Sequence, residues 1–549
     1  MRRFGIVLLV MIGLAALTWS QRELVLMRLP GILGRILDPI GENVPVVWDE
    51  GPEQARPPGG KPNIVLIVVD DLGSNDLTFA GGGVAGGAVP TPNIDSIAHD
   101  GLQVSRGYTG NATCAPSRAA ILTGRYPTRY GFEFTPVGKE FSRALAWIRR
   151  EDRHPPIYYA ERADQVPPLA DQGVPPSEIT LAELLRDAGY HTLGLGKWHL
   201  GESARFRPLA QGFDEYLGFL TGAAMFLEPD DPRIVNSKQD FDPIDRFLWA
   251  NLAYAVSKDG GPRFAPDAYM TDYLAREVSN AIVANKHRPF FMYLAFNAPH
   301  TPLQALKSDY DALSSIEDHT LRTYAAMIRA LDRGVGRVLE TLRANGLEEN
   351  TLVLFTSDNG GADYIGLEGL NAPFRGWKMT FFEGGVRTPF FAKWPAAVAP
   401  GSRFDGPAAH VDLFATAAGA AGVAVPKDRV IDGVDVIRRA RGEGTGRPGD
   451  AIFWRSGHYR ALLKGDWKLQ VAVRPQKTWL FDLASDPTEQ HDLSAERPEK
   501  LAELSALLAA YEGEMAEPLW PALIEGSIAV DHPLDVPMQD GDEYVYWAN

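Results

Sequence analysis

The chain has 549 residues, a formal net charge of −16 and an ordinary globular composition, with 45% hydrophobic and 23% charged residues. This length suffices for more than one domain, and the acidic balance excludes a general nucleic-acid partner, which would need a basic surface. The single cysteine, Cys114, excludes an intramolecular disulfide.

The N-terminus is typical of an export signal or a membrane anchor. Arg2 and Arg3 precede an apolar run over residues 4–19, as in a secretory signal. The run is short for a membrane span and no clear cleavage site follows it. A second apolar stretch, residues 24–37, carries arginines, a proline and a glycine. The alternative is a soluble protein with a buried N-terminal helix.

We therefore predict a signal peptide or membrane anchor over residues 1–37. The protein would be exported, periplasmic or extracytoplasmic, with the N-terminus either cleaved or kept as a membrane tether. Residues 38–60 are rich in Pro, Gly and acidic residues and are predicted to be a linker.

From residue 61, short apolar runs alternate with stretches of helical spacing. Helices are predicted from about residue 92, after Thr180, over 268–286 and over 320–344. The continuous, partly β-branched apolar runs indicate strands buried on both faces. This alternation predicts an α/β fold with a mainly parallel sheet and helices on both faces, over a catalytic domain at residues 61–445. The buried strands are predicted at 64–69, 190–195, 290–296 and 352–355.

The pattern changes after about residue 445. Short strand candidates follow one another at hairpin spacing, and a helix is predicted over residues 498–512. We predict a smaller C-terminal α+β domain with an antiparallel sheet, over residues 446–549. Residues 126–176 and 221–265 are interpreted as irregular insertions, and the tail from Glu517 shows no clear period.

Polar side chains follow each of the four buried strands. The carboxyl ends of parallel strands meet at one edge of a sheet, so these side chains should lie together. The oxygen ligands among them suit a hard cation, Ca²⁺ or Mg²⁺, and no zinc-type pattern is present. They are Asp70 and Asp71, then Lys197 and His199, then His300, and finally Asp358 and Asn359.

Cys114 opens a predicted helix whose N-terminus would favour an anion. Thr113 could cap it, Pro116 suits an early helical position, and Arg118 lies four residues on. The alternative is that Cys114 is a small buried apolar residue. The sequon at Asn111 is interpreted as chance, because a glycan there would cover Cys114.

The pattern Cys-x-Pro-Ser-Arg followed by Leu-Thr-Gly-Arg, residues 114–125, resembles the signature of the type I, formylglycine-dependent sulfatases of the alkaline phosphatase-like superfamily. The resemblance covers roughly residues 61–500. It implies an alkaline phosphatase-like fold and a sulfuric ester hydrolase acting on aryl or carbohydrate sulfates. It also implies a divalent cation and a maturation enzyme that converts Cys114 to Cα-formylglycine.

The resemblance also implies roles for single residues. The hydrated aldehyde at position 114 would attack sulfur, the alcohol would leave, and expulsion of sulfate would regenerate the aldehyde. The implied metal ligands are Asp70, Asp71, Cys114 (as formylglycine), Asp358 and Asn359. Arg118 and Lys197 would hold the hydrate and the sulfate, His199 would accept the proton of the second hydroxyl, and His300 and Lys378 would bind sulfate and the leaving group, with His300 as general acid.

Two other functions stay open. A phosphonate monoester or phosphodiester hydrolase can share this metal site and cysteine motif. A non-enzymatic binding protein could retain the scaffold. The substrate, a sulfated small molecule or a glycan, is not disclosed by the sequence.

Overall fold

The computed structural model describes residues 22–54, 59–444 and 446–549. The apolar run over residues 4–19, on which the prediction of a signal or anchor depends, lies outside the described residues. Among the residues described, no helix combines the length and apolar character that crossing a bilayer requires.

The strands are numbered in chain order. They are β1 (Asn63–Asp70), β2 (Leu102–Tyr108), β3 (Ile157–Tyr158), β4 (His191–Lys197), β5 (Glu215–Phe219), β6 (Ile234–Ser237), β7 (Ser257–Lys258), β8 (Phe290–Pro299), β9 (Leu303–Leu306), β10 (Thr351–Ser357), β11 (Phe390–Lys393), β12 (Ser402–Ala409), β13 (Ala451–Ser456), β14 (Tyr459–Lys464), β15 (Trp467–Ala472), β16 (Lys477–Asp482), β17 (Ile524–Ala529) and β18 (Tyr544–Ala548).

The α-helices are numbered in the same way. They are α1 (Arg22–Leu37), α2 (Val84–Gly87), α3 (Pro92–His99), α4 (Cys114–Thr123), α5 (Lys139–Ile148), α6 (Leu181–Asp187), α7 (Pro243–Asn251), α8 (Met270–Asn285), α9 (Lys307–Asp311), α10 (His319–Ala344), α11 (Glu383–Val386), α12 (Val411–Ala421), α13 (Val436–Ala440) and α14 (Pro498–Glu512). Short 3₁₀ helices occupy Pro127–Tyr130, Ala160–Gln165, Leu169–Asp171, Ala204–Phe206, Pro208–Gln211, Glu348–Asn350, Asp363–Ile365 and Pro448–Asp450.

A nine-stranded, mostly parallel sheet forms the centre of the protein, in the order β12-β2-β11-β10-β1-β8-β4-β5-β7. Strand β1 lies between β10 and β8, parallel to both, and Ile64 is opposite Leu352 on one side and Phe291 on the other. All eight residues of β1 are buried, because both faces of the sheet are covered by packed apolar layers. The predicted α/β class is confirmed, with antiparallel exceptions at β11 and β7.

Local sequence signals set several helix boundaries. Thr180 and Glu183 form the reciprocal capping box at the start of α6. Asp318 caps the first turn of α10, which buries the predicted apolar stripe. The prediction for Thr113 is wrong in one respect. It occupies the N-cap position of α4, but its side chain caps no backbone amide.

The smaller C-terminal domain contains the predicted antiparallel sheet, β13-β14-β15-β16. An ion network joins this sheet to helix α11. The buried Lys468 of β15 places its Nζ 2.8 Å from Glu383 Oε1 and 3.0 Å from Glu489 Oε1. Arg387, whose side chain is 18% exposed, contacts the other oxygen of Glu383 at 2.9 Å. Two buried carboxylates thus share one buried lysine and one partly exposed arginine.

The two insertions are more regular than predicted. Residues 126–176 contain α5, whose Phe141 contacts Phe247 of α7 with tilted rings and centroids 4.6 Å apart. Residues 221–265 contain β6, α7 and β7. The prediction of irregular structure was wrong there, and for α5 a local signal was missed, because Phe141, Ala144, Leu145 and Ile148 follow helical spacing.

The tail also forms strands that the sequence did not indicate. Strands β17 and β18 pair with each other and with β3 in a three-stranded antiparallel sheet. Two polar residues of β17 are buried with partners: Glu525 bonds Arg474 and Tyr159, and Ser527 donates to the carbonyl of His154. Their inward orientation removes the alternation that normally marks a strand.

Candidate active site

Four neighbouring parallel strands end at one point on the sheet edge. Asp70 is the last residue of β1, Lys197 is the last residue of β4, His300 follows β8, and Asp358 follows β10. Their order in the sheet is β10-β1-β8-β4. The edge predicted from the sequence therefore brings these side chains together, as open α/β sheets do at ligand sites.

Three buried carboxylates face three buried cations. Lys197 Nζ lies 2.8 and 2.7 Å from the two oxygens of Asp70. Lys378 Nζ lies 2.7 and 2.8 Å from those of Asp71. Arg118 donates to Asp358 Oδ2 from Nε at 2.8 Å, and its terminal nitrogen lies at the same distance.

Cys114 sits at the centre of this charge arrangement. Its Sγ lies 3.5 Å from Asp70 Oδ1, 3.9 Å from Asp71 Oδ1 and 3.4 Å from Lys378 Nζ. Burial raises the pKa of the thiol, but Lys197 and Lys378 outweigh that effect and leave the pKa below its ordinary value. Cys114 as a whole is 4% exposed.

The three carboxylates differ in protonation behaviour. Burial raises the pKa of Asp70, and burial together with the charge of Asp70 raises the pKa of Asp358 to about 6. Burial would also raise the pKa of Asp71, but Lys378, His300 and Lys197 hold it well below its usual range. The cations around Asp71 thus keep it ionised.

The two histidines of the site also differ in the direction in which their pKa is shifted. The Nε2 atom of His300 lies 3.6 Å from Asp71 Oδ2. Burial lowers the pKa of His300, but Asp71 and Asp70 raise it above the ordinary value. Burial and then the charges of Lys197 and Arg118 lower the pKa of His199. His199 makes no direct bond to the other predicted residues, and its Nδ1 atom has no hydrogen-bond partner.

Three residues at the site adopt a left-handed backbone although none is glycine. Asp71 has φ 63°, His199 has φ 60°, and Met379, directly after Lys378, has φ 68°. Such conformations cost of order 1–3 kcal/mol each and collect at functional sites. Met379 is held by a bond from its amide to the carbonyl of Ala112, two residues before Cys114. Backbone strain is therefore concentrated where these side chains are aimed.

The site groups side chains that are able to hold a metal ion. Ligand atoms of Asp70, Asp71, Cys114 and His300 lie within 4.8 Å of one another. Asn359 adjoins them through its Nδ2 atom, 2.7 Å from Asp71 Oδ1, while its buried Oδ1 has no hydrogen-bond partner. Several buried carboxylates beside an unused amide oxygen are the ligands that Ca²⁺ and Mg²⁺ prefer.

Two tyrosines were missed by sequence reasoning. Tyr364 donates to Asp71 Oδ2 at 2.8 Å and lies 3.3 Å from Lys378 Nζ. Tyr293, inside β8, has its hydroxyl 3.3 Å from Arg118. An inward-facing tyrosine in a buried strand was a usable signal for Tyr293. Nothing in the sequence marks Tyr364, which lies on a short 3₁₀ helix.

A buried histidine, His410, connects the helix of Cys114 to the sheet. Its Nδ1 atom lies 2.8 Å from Ser117 Oγ and its Nε2 atom 3.0 Å from Thr356 Oγ1. Burial lowers its pKa to about 3. It is therefore a neutral spacer that positions α4 against β10.

His410 should make the protein acid-sensitive. Below pH ~6.5, His410 binds a proton in the unfolded chain but stays neutral in the folded chain. The free energy of unfolding therefore falls by up to about 1.4 kcal/mol per pH unit down to pH ~3. We expect His410→Gln to show a smaller fall in Tm between pH 7 and pH 5 than the unsubstituted protein. Thermal unfolding at the two pH values measures this, with His491→Gln, at an exposed histidine, as control. Equal pH dependence in all three proteins would contradict it.

Asn111, the acceptor residue of the sequon, is buried. This agrees with the interpretation of the sequon as a chance match. The residue is 1% exposed, and its Nδ2 atom donates to the carbonyl of Arg455. A glycan cannot be accommodated there.

Comparison with known proteins gives a consistent result. A family model described as Sulfatase matches residues 62–423. N-acetylgalactosamine-6-sulfatase of Mus musculus is 34% identical over 420 residues, which cover 75% of this chain and 72% of that protein. Steryl-sulfatase of Mus musculus is 32% identical over 569 residues, covering 86% and 85%.

A solved structure agrees with these matches. The crystal structure of Ps i-CgsB in complex with k-i-k-neocarrahexaose has a TM-score of 0.68 and 33% sequence identity, and the match covers 84% of this chain and 94% of that chain. The similarity therefore extends over most of both folds and includes the region of the site.

Proposed function

This chain belongs to the sulfatase family and hydrolyses sulfate esters, and we propose that it does so at the Cys114 site, through a Cα-formylglycine formed from Cys114. The observation that carries the proposal is the position of Cys114, with its Sγ within 3.9 Å of Asp70, Asp71 and Lys378. The only cysteine of the chain is thus placed among charges rather than among apolar side chains.

The charge of the site supports an anionic substrate. Asp70, Asp71 and Asp358 are balanced by Arg118, Lys197 and Lys378, so the protein groups are close to neutral. A divalent cation held by the carboxylates would leave the site net positive. A sulfate monoester carries one negative charge and would be drawn into it, despite the net charge of −16 of the whole chain.

The residues divide into holding and proton-transferring groups. Arg118 and Lys197, both fully buried, are fixed beside position 114 and would hold the hydrate and sulfate oxygens. Lys378 reaches the same position from the other side and would bind sulfate oxygens and the leaving group. His300, 3.6 Å from Asp71, would donate a proton to the departing alcohol oxygen, and His199 would accept one when sulfate leaves. The hydrated aldehyde supplies the nucleophile when it is present.

We propose Ca²⁺ as the cation, with Mg²⁺ as the alternative, and Asp70, Asp71, Asp358 and Asn359 as its ligands together with position 114. When bound, it polarises a sulfate oxygen and lowers the pKa of the attacking hydroxyl. A flexible set of carboxylate and amide oxygens is more typical of Ca²⁺ than of the strictly octahedral Mg²⁺.

Chelation should abolish turnover and lower stability together. Without a cation the buried carboxylates lose their strongest partner, so we expect Tm to fall as activity is lost after dialysis against EGTA. Adding Ca²⁺ should restore both, and Mg²⁺ should restore them less. A parallel sample dialysed without EGTA is the control. Full activity in protein shown by elemental analysis to hold no divalent metal would contradict the proposal.

We propose a carbohydrate sulfate as the substrate, and an aryl sulfate as the alternative. Support comes from the relatives that are named for N-acetylgalactosamine 6-sulfate and solved with a carrageenan-type hexaose. Turnover of the sulfate ester and the phosphodiester of one phenol tests the reaction class. Faster phosphodiester turnover would favour the phosphonate or phosphodiester alternative. A panel of sulfated monosaccharides then tests the substrate class, and exclusive turnover of aryl or steryl sulfates would contradict the carbohydrate proposal.

The remaining parts of the proposal concern maturation, export and domain organisation. We propose that a formylglycine-generating enzyme matures Cys114 and that residues 1–37 direct export, to the periplasm or another extracytoplasmic space, with the N-terminus cleaved or kept as a tether. The division into a catalytic domain at 61–445 and a C-terminal domain at 446–549, joined to the N-terminus by residues 38–60, stays a prediction.

A further inference from the structure

Helix α1 exposes a continuous apolar stripe. Successive residues of an α-helix are rotated by about 100°, so residues spaced by three or four lie on one face. The exposed fractions are far above those of ordinary packed apolar residues. They are 46% at Leu29, 52% at Ile32, 45% at Leu33, 69% at Ile36 and 80% at Leu37. We call these five residues the apolar face of α1.

The opposite side of the helix is the side that packs on the protein. Gly31 is buried, and its amide donates to Asn251 Oδ1 at 2.6 Å. A side chain at Gly31 would come within 2.6 Å of the carbonyl oxygen of Ala250, so the helix approaches α7 as closely as a glycine permits. Gly31 lies half a turn away from the centre of the apolar face. The helix is therefore docked in a fixed rotation that turns this face outward.

The charges and the neighbouring sequence identify what covers the face. Arg28 and Arg35 are exposed and lie on one flank of it, where guanidinium groups can reach phosphate oxygens while their stems stay in apolar surroundings. The sequence immediately before the helix contains the apolar run of residues 4–19, preceded by Arg2 and Arg3. An apolar stripe bordered by arginines and continuous in sequence with such a run fits a lipid surface.

We propose that the apolar face of α1 lies in the interfacial region of a phospholipid bilayer, with the helix axis along the membrane surface and Arg28 and Arg35 at the level of the phosphates. Helix α1 has 16 residues, about 24 Å at 1.5 Å per residue, and it lies on the bilayer rather than crossing it. Because α1 packs on α7 in one fixed rotation, insertion of its apolar face would fix the orientation of the whole enzyme relative to the membrane. The proposal requires that residues 22–37 stay in the mature chain, which selects the uncleaved form of the N-terminus, and it does not depend on the reaction or on the residues assigned to it.

Environment-sensitive labels in the full-length chain test the proposal. Ile36→Cys and, as control, Val430→Cys, at a residue 48% exposed elsewhere, are labelled with the fluorophore NBD. The unsubstituted chain, whose Cys114 is buried, gives the labelling background. With vesicles of phosphatidylcholine and phosphatidylglycerol, we expect a blue shift and quenching by brominated lipid at position 36 and neither at position 430. A position-36 label that stays water-like, either because the protein does not bind the vesicles or although it does, would overturn the proposal.

A second variant separates lipid from other partners. Leu33→Asp places a charge in the apolar face but touches no part of the site, so hydrolysis of a soluble sulfate ester should be unchanged. The blue shift at position 36 should be lost, whereas Val430→Asp should leave it intact. Persistence of the shift in Leu33→Asp would contradict the proposal. A shift without vesicles that grows with protein concentration would show that a second copy covers the face, and would also overturn it.

Discussion

Cys114→Ala is expected to abolish turnover of sulfate esters while leaving the fold intact. The alanine removes the proposed nucleophile precursor from a position that contacts Asp70, Asp71 and Lys378 together. Loss of a covalent nucleophile costs on the order of 10⁴-fold to 10⁶-fold in kcat. Steady-state hydrolysis of a phenyl sulfate measures the loss. Circular dichroism and Tm should change little, because the alanine fits the space of the cysteine at the start of α4.

The control for this substitution lies on the same helix. Thr123→Ser, at the far end of α4, keeps the hydroxyl that donates to the carbonyl of Ala119 and should retain near-normal activity. Mass spectrometry of the Cys114 peptide adds an independent readout, since formylglycine is about 18 Da lighter than cysteine. An active Cys114→Ala protein, or full activity in protein that carries only cysteine there, would contradict the proposal.

Among the substitutions named so far, Lys468→Met is expected to cause the largest fall in the free energy of unfolding. The substitution keeps most of the unbranched side chain but removes the buried cation that contacts both Glu383 and Glu489. Arg387, 18% exposed, still contacts Glu383. Breaking a buried ion pair by removing one partner costs about 3–5 kcal/mol. Chemical denaturation at pH 8 should show a fall of that size in the free energy of unfolding.

The pH dependence of the variant provides a specific check. Burial raises the pKa of Glu489 to about 7, and Lys468 opposes this. Without the lysine the folded-state pKa rises further above the unfolded value, so the penalty is present at high pH and declines as the carboxyl binds a proton at lower pH. The loss at pH 5.5 should thus be smaller than at pH 8, and Lys468→Met/Glu489→Gln should recover part of it.

Lys464→Met is the matched control, because Lys464 ends the neighbouring strand and is 39% exposed with its partner Glu503 at 3.2 Å. Exposed pairs contribute about 0–1 kcal/mol. Equal losses for the two methionine variants would refute the role of the buried network.

The central sheet and the edge of the site were predictable because their signals are local. A strand buried on both faces must be continuously apolar, as residues 64–69 are, and the first polar residue after it marks the sheet edge. Asp70 and Lys197 follow this rule, whereas Asn297 precedes His300 and Thr356 and Ser357 precede Asp358 while still belonging to their strands. Parallel pairing then brings residues almost 290 positions apart into contact.

Features that depend on partners far along the chain could not be predicted from the local sequence. Tyr364 matters because it meets Asp71 and Lys378, and its own neighbours in sequence do not indicate that. Strand β17 hides its pattern because Glu525 is buried only by virtue of Arg474 and Tyr159. In both cases the partner lies far along the chain, and sequence periodicity carries no information about it. Helix α5 is different, because Phe141, Ala144, Leu145 and Ile148 follow helical spacing and this local signal was missed.

The loop that carries Lys378 is completed by the end of the chain. Trp377, 1% exposed, donates from its indole nitrogen to the carbonyl of Ala529 at 2.7 Å, and Arg375 pairs with Asp531 and Glu543. Contacts of such long sequence separation form late in folding. During synthesis the helix of Cys114 and its sheet can assemble while Lys378 still lacks its final support. A ribosome-bound chain stopped before residue 529 would therefore hold Cys114 beside a loop without these contacts, and the segment over residues 529–543 would supply them.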